Sequence, residues 1–312
     1  MNTERYFYTI IIPHYNIPKQ LRRCLSSIPK RYDLQIIVVD DKSSDENIQR
    51  LKALETEYSY VTFIYSESNG GGGKARNLGL EHAVGKYVLF ADGDDFFNYC
   101  IIDILDEYKN QDWDAVYFNA NHIDTETYLS TERGSTLQRA LRMYAKDGSL
   151  DAFRFAFGEP WCKLVKREII EENGIRFDEL PIHNDTKFSY LTGFYAQQVK
   201  FDNRALYCLA DRSGSVSKKP NDEKLIIRMR VFAEKNRFLL DHGVSYYDVL
   251  MTSPLWIFLV RGDKDNFRRC FSIAKEYGFS NAFVFRKLAR KFCSTISRDI
   301  KKSVKCVFHI PR

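Results

Sequence analysis

Leu34-Gln35-Ile36-Ile37-Val38-Val39-Asp40-Asp41-Lys42-Ser43-Ser44-Asp45 (34–45) runs from four consecutive β-branched residues straight into acids and hydroxyls. Successive strand side chains point to opposite faces, so an unbroken apolar run needs cover on both sides, as a parallel strand inside an α/β sheet has. Tyr8–Ile12, Val61–Tyr65 and Tyr87–Ala91 read the same way. Between these runs apolar residues fall at helical spacing: Leu21, Leu25 and Ile28; Ile48, Leu51 and Leu54; Leu78 and Ala83. The alternation predicts an α/β fold with a mostly parallel central sheet and helices on both faces. A further strand is expected at Ala115–Asn119, and a helix over 166–173 stopped by Gly174.

The 312 residues are 44% hydrophobic and 28% charged, with 16 Gly and 8 Pro. That is ordinary globular usage, with length for two or three domains of roughly 100–200 residues each, and it excludes disorder and collagen. The seven cysteines stand singly, without a Cys-x-x-Cys pair; neither a disulfide framework nor a zinc knuckle is expected, and a reducing cytoplasm fits. The N-terminal apolar run ends at Pro13 with no small-residue cleavage site behind it, so it reads as a strand rather than a signal peptide. No stretch approaches the ~18–20 apolar residues of a membrane span. Residues 120–160 give helical period only near Leu137–Tyr144. Lys218-Lys219-Pro220-Asn221-Asp222 reads as a linker dividing 1–219 from a helical region, 220–312, interrupted at Gly243, Pro254 and Gly262.

In open α/β sheets ligands bind where loops leave the carboxyl ends of the strands. Those loops hold Pro13-His14-Tyr15-Asn16, Asp40 to Asp45, the stretch from Ser66 to Arg76 with four glycines, and Asp92-Gly93-Asp94-Asp95. Three carboxylates within four positions repel one another unless a cation lies among them, and Mg2+ or Mn2+ prefers such oxygen ligands. A turn with a helix cap is the alternative reading. Asp40-Asp41 would accept hydrogen bonds from a ribose or a base, or would cap the next helix. The run Gly70 to Lys74 is not a phosphate-binding Walker loop, because Ser68 and Ala75 stand where that loop needs Gly and Ser or Thr. Its amides, with Lys74 and Arg76, would still suit an anion.

Taken together, Ile10-Ile11-Ile12-Pro13-His14-Tyr15-Asn16, Val38 to Asp45, Lys74-Ala75-Arg76-Asn77-Leu78-Gly79 and Phe90-Ala91-Asp92-Gly93-Asp94-Asp95 resemble, in order, the motifs of family 2 glycosyltransferases. The resemblance implies the GT-A fold, a Rossmann-like α/β architecture, and an inverting transfer from a nucleotide-diphosphate sugar, expected to be a UDP-sugar. It implies that Pro13 and Tyr15 wall the base pocket, that Asp41 or Asp40 holds the base, and that Arg76 and Lys74 serve the nucleotide. Asp92 would face the ribose, Gly93 would lie against the nucleotide sugar, and Asp94, with Asp92 and Asp95, would face a divalent Mn2+ or Mg2+ ion. Trp161, Lys163 and Asn184 would lie on the acceptor side, where Cys162 replaces a frequent Asn. Asp185 would be the general base, its usual Glu neighbour replaced by Asn184; a helix cap is its alternative role. Arg212 and Ser215 resemble a loop that closes over the diphosphate.

From Arg286 to Arg312 nine basic residues face one acid, Asp299, so the whole +6 excess resides in the tail and the remainder is mildly acidic. This distribution speaks against nucleic acid as a partner. Phe285, Leu288, Phe292, Ile296, Ile300, Val304 and Val307 form one apolar stripe, so 284–308 reads as a basic amphipathic helix lying on an anionic membrane surface, or docked on the domain. The expectation is therefore a cytoplasmic enzyme, peripheral at the inner face of the cell membrane, that extends an acceptor glycan carried on a lipid, as in capsular, exopolysaccharide or O-antigen synthesis. A nucleotidyltransferase of related fold is disfavoured because Pro13-His14-Tyr15-Asn16 stands where it needs a glycine-rich loop. A non-catalytic membrane-associated binding module is the reading that Cys162 and Asn184 leave open.

Overall fold

The computed structural model describes residues 6–127, 129–130, 135–211, 221–246 and 251–291. The chain divides into two compact units, 1–218 and 219–312.

The first unit is built on an eight-stranded sheet of order β3-β2-β1-β4-β7-β6-β8-β5. The strands are β1 (Tyr8–His14), β2 (Leu34–Asp40), β3 (Thr62–Tyr65), β4 (Tyr87–Phe90), β5 (Phe96–Phe97), β6 (Ala115–Asp124), β7 (Lys163–Lys166) and β8 (Val199–Asp211). β1 lies between β2 and β4, parallel to both, and Ile10, Ile11 and Ile12 are wholly buried, as runs apolar on both faces require. On one face α3 (Gly71–Glu81) packs on Ile11, Ile37 and Val39. A Cβ at Gly79 would collide with Ile11 Cγ2, so glycine sets how closely this helix lies on the sheet. On the other face Tyr8 donates its hydroxyl proton to Leu105 of α4 (Ile101–Tyr108).

The sheet is more mixed than expected. β7 pairs antiparallel with both β4 and β6, and β5 pairs antiparallel with β8. β7 is four residues, too short to show a period, and β8 opens with a half-exposed, partly charged half, its apolar run confined to Ala205–Ala210. β6 extends past Asn119 to Asp124, and the poorly patterned 120–160 stretch holds α5 (Ser135–Asp147) and α6 (Asp151–Phe155). The helix expected over 166–173 is α7 (Arg167–Glu172), with Gly174 at φ +57° after it.

The second unit is helical: α9 (Asp222–Asp241), α10 (Thr252–Arg261), α11 (Lys264–Glu276) and a helical run over 281–291. Met229, Phe232, Leu255, Phe258 and Cys270 form its core. Pro254 does not interrupt a helix but sits in the first turn of α10, where an amide proton has no intrahelical partner to lose. In the stripe expected at 284–308, Leu288 is buried in this core while Phe285 is 55% exposed; residues 292–308 lie outside those described. Among the described residues no helix is long and apolar enough to cross a membrane.

Candidate functional site

The loops after β1 and β2 are stitched together by a buried carboxylate. Asp40, 1% exposed, accepts from the Ser43 amide (2.9 Å), the Ser43 hydroxyl (2.5 Å) and His14 Nδ1 (2.8 Å). The Ile17 amide donates to His14 Nε2, so the imidazole proton sits on Nδ1. Burial pushes the Asp40 carboxyl up, but the bonds from His14 and Ser43 outweigh it and hold the group below the usual range. Asn16 completes the seam, donating its amide to Ser43 Oγ and accepting from the Ser44 amide and from Asn47. Asn16 and Lys42 both lie in the left-handed region, at φ 55° and 65°; asparagine takes that conformation readily and lysine does not. Asp40 is thus a structural clasp. Asp41 is also engaged, accepting from the amides of Gly70 (2.8 Å) and Gly71 (2.7 Å) at the start of α3. The anion on the glycine run is therefore the chain's own carboxylate, and Lys74 turns aside to Ser68 Oγ. Pro13 is half-buried and Tyr15 is 52% exposed at the rim.

β4 delivers the acidic turn to the same rim. Tyr207 of β8 pins its start, accepting from the Asp92 amide at 2.8 Å and donating to the Asp92 carbonyl at 3.3 Å. Burial, reinforced by Asp95 and Asp92, holds that phenol protonated. Gly93 passes close to the Pro13 carbonyl, 3.1 Å from where a Cβ would stand. Arg23 donates to the Asp94 carbonyl from α1 (Pro18–Ser26), lying over the Phe96 ring. Asp95 departs from its expected role: it is 4% exposed and turned inward, accepting from the Ala210 amide at 2.8 Å. Asp92 and Asp94 remain half-buried at the rim. Among the described residues no group of three or more His, Cys, Asp or Glu side chains converges to hold a metal alone. Two carboxylates fit Mg2+ or Mn2+ arriving with a diphosphate, since these ions take one or two carboxylates plus substrate phosphate oxygens.

Arg76 joins this turn to a segment 108 residues beyond itself in the chain. From α3, and 7% exposed, it donates to Asp92 at 2.6 Å and to Asn184 Oδ1 at 3.3 Å, with its guanidinium 5.4 Å from the Phe177 ring centroid. Its Nε is buried without a hydrogen-bond partner. The segment is held on α3 by paired bonds between the Asn77 side chain and the Phe177 backbone, and the Asp178 carbonyl lies where a Cβ of Gly73 would be. Asp185 follows Asn184 at the mouth of α8 (Thr186–Tyr195) and makes no side-chain cap bond to that helix, so its carboxylate is not serving as a helix cap. Its pKa is pushed up to about 7, first by burial and then by the nearby Glu159 charge, with Arg76 and Lys163 pulling the other way.

Two residues expected on the acceptor side lie inside the core instead. Trp161 is 3% exposed and stacks on Tyr207 at 5.9 Å between centroids. Lys163 is 2% exposed, donating inward to the Phe157 carbonyl and to Ser189 Oγ. Cys162, where the family often has Asn, is buried at φ 58° with its sulfur on the Asn119 carbonyl. Arg212 and Ser215 lie outside the described residues. Glu159 belongs to the segment that resembles the family's acceptor side, but its place beside Asp185, like the contacts of Tyr207 and Arg23, is not marked in the sequence as Asp92, Asp94 and Asp185 are. Each acts across a long chain separation on one of those three, and no local pattern carries that information.

The family described as "Glycosyl transferase family 2" matches residues 9–174. Glycosyltransferase GlyG of Streptococcus pneumoniae is 29% identical over an alignment of 225 residues, which covers 67% of this chain and 72% of that protein. Among solved structures, Staphylococcus aureus TarS 1–349 in complex with UDP-GlcNAc superimposes with a TM-score of 0.60 at 20% identity, covering 86% of this chain and 91% of the other. The mannosyltransferase PcManGT of Pyrobaculum calidifontis, in complex with GDP-Man and Mn2+, does so with a TM-score of 0.53 at 15% identity, covering 95% and 81%. At these identities the two structures speak to the fold.

Proposed function

Because the chain belongs to glycosyl transferase family 2 and has the GT-A fold, we propose that this glycosyltransferase moves a sugar from a UDP-sugar to a hydroxyl of an acceptor glycan with inversion at the anomeric carbon. The observation that carries the reading is the Arg76 bridge. One guanidinium contacts Asp92 of the acidic turn and Asn184 beside Asp185, so the donor-side carboxylates and a proton acceptor share one rim. The UDP-GlcNAc bound in the TarS neighbour supports the choice of donor, and the Mn2+ in the mannosyltransferase neighbour supports a metal.

Asp185 takes the proton of the acceptor hydroxyl as that oxygen forms its bond to the anomeric carbon and the bond from that carbon to the diphosphate oxygen breaks. A carboxyl raised to about 7 suits this task, being basic enough to accept a proton yet largely ionised just above neutrality. Asp92 and Asp94 would hold Mg2+ or Mn2+, whose charge offsets that building on the departing diphosphate. Arg76 orients Asp92 and steadies Asn184, while Tyr15 and Pro13 border the space for the base. Asp41, with Arg212 and Ser215, completes the proposed donor contacts. The basic tail supports a lipid-linked acceptor met at the anionic inner face of the cell membrane, in polysaccharide assembly.

The test is UDP release from a panel of UDP-sugars with Mn2+ and acceptor extract. Asp185→Asn should lower kcat at least about 100-fold while the donor still raises the melting temperature. Full turnover by Asp185→Asn would sink the proposal.

A further inference from the structure

Lys163, on β7, keeps 2% of its surface exposed. An ammonium group in a core is strongly destabilising unless its donors are satisfied and its charge is met. Its Nζ donates to the Phe157 carbonyl at 2.6 Å and to Ser189 Oγ at 2.8 Å, and lies 4.5 Å from the Phe157 ring centroid. Ser189 in turn donates its hydroxyl proton to the Gly158 carbonyl at 2.5 Å. Each end of this relay adjoins a carboxylate of the site. Phe157 and Gly158 lead into Glu159, whose two oxygens accept from Thr136 Oγ1 at 2.6 and 2.5 Å. Ser189 closes the first turn of α8, its amide bonded to the Asp185 carbonyl at 3.0 Å. Gly158 faces Thr186 across 3.6 Å of space for a Cβ, so the two segments are in near contact.

We propose that Lys163 is a positioning residue for the general base: from inside the core it locks the 157–159 segment to the first turn of α8, holding Asp185 and Glu159 together as a carboxylate pair with the buried ammonium as their shared counter-charge. This rests on the reading of Asp185 as the base. The charges acting on Asp185 come from three elements: Glu159 ahead of β7 raises its affinity for a proton, while Arg76 on α3 and Lys163 on β7 lower it. On its own element Lys187 is drawn to Asp178 at 4.0 Å. Glu159 and Lys163 therefore act in opposite senses, which a loosened fold would not reproduce.

The experiment needs no donor. In full-length protein carrying carboxyl-13C aspartate, the Asp185 signal is identified by its loss in Asp185→Asn and followed against pH. The wild-type midpoint is expected at about 7. Glu159→Gln should move it down and Lys163→Met up, each by roughly half a unit or more. Ser189→Ala, which changes no charge, should broaden or split the signal as α8 loosens. Should Lys163→Met fail to fold, Glu159→Gln and Ser189→Ala decide the matter. Superimposable titrations in the folded variants would overturn the inference. An active Asp185→Asn enzyme would instead remove the reading beneath it, so the two failures are told apart.

Discussion

Arg76 shows how much one side chain can specify. A guanidinium presents a planar fork, so it can hold Asp92 and Asn184 at once, which a lysine ammonium on a flexible stem cannot do with the same geometry. Arg76→Lys should therefore lower kcat/KM by about 10- to 100-fold at unchanged net charge, measured as UDP release. Asp185 makes two further predictions. In the proposed mechanism its carboxylate is the working form, so kcat/KM should rise with pH through about 7 and then level. Because its pKa is raised in the folded state, the folded chain retains a proton that the unfolded chain gives up between about pH 4 and 7, and stability falls as pH rises across that interval. Asp185→Asn removes the buried charge. It should melt at a higher temperature than wild type at pH 8, by a smaller margin at pH 5 and by little below pH 4, while being catalytically impaired.

Among elements, α3 does most to assemble the rim. Asp41 caps its start, Gly79 lets it lie on β1, Arg76 reaches the acidic turn, and Gly73 lets 178–184 close over it. Gly73→Ala puts a Cβ into the Asp178 carbonyl and against Asn184. It should destabilise by about 1–3 kcal/mol, seen as a melting point several degrees lower, and lower kcat as Asn184 and Asp185 shift. Gly71→Ala is the control: nothing lies within 4 Å of its Cβ, and only the φ of +80° resists it. The β1 and β2 loops depend likewise on Asp40. Asp40→Ala strips His14 and Ser43 of their common anchor, loosening the Ser43 hydroxyl that receives the Asn16 amide, and should cost roughly 3 kcal/mol in thermal melting above pH 5. The loss shrinks in strong acid, where protonation of Asp40 weakens the wild-type clasp as well.

For the whole molecule, the donor set predicts how metal and nucleotide depend on each other. Under the proposed function, two rim carboxylates without a third protein ligand among the described residues would bind a divalent ion weakly until a diphosphate supplied more oxygens. Mn2+ alone should barely change the melting temperature, and Mn2+ with a UDP-sugar should raise it by mass action. EDTA should abolish UDP release, and Mn2+ should restore it. The two units bear separate tests: removal of the basic tail should weaken sedimentation with anionic vesicles while UDP release to a soluble acceptor persists.

Local pattern sufficed for the first half of the sheet. Burial on both faces leaves an unbroken apolar run, and a loop that must carry acid at a strand end writes that acid next to the strand, as at Asp40, Asp41 and Asp92 to Asp95. It also sufficed for Asp92 and Asp94 as candidates, whereas Asp185 came only from the resemblance to family 2 glycosyltransferases. Which carboxylates face outward was decided only by tertiary contacts: Asp95 turned to Ala210, Asp40 to His14 and Ser43, and Asp41 to the glycine amides. The antiparallel insertion of β7 and the burial of Trp161 and Lys163 belong there too. The physical reason is range. Strand and helix periods are properties of neighbouring residues, whereas hydrogen bonds and charges act between groups that only the folded chain brings within a few ångströms.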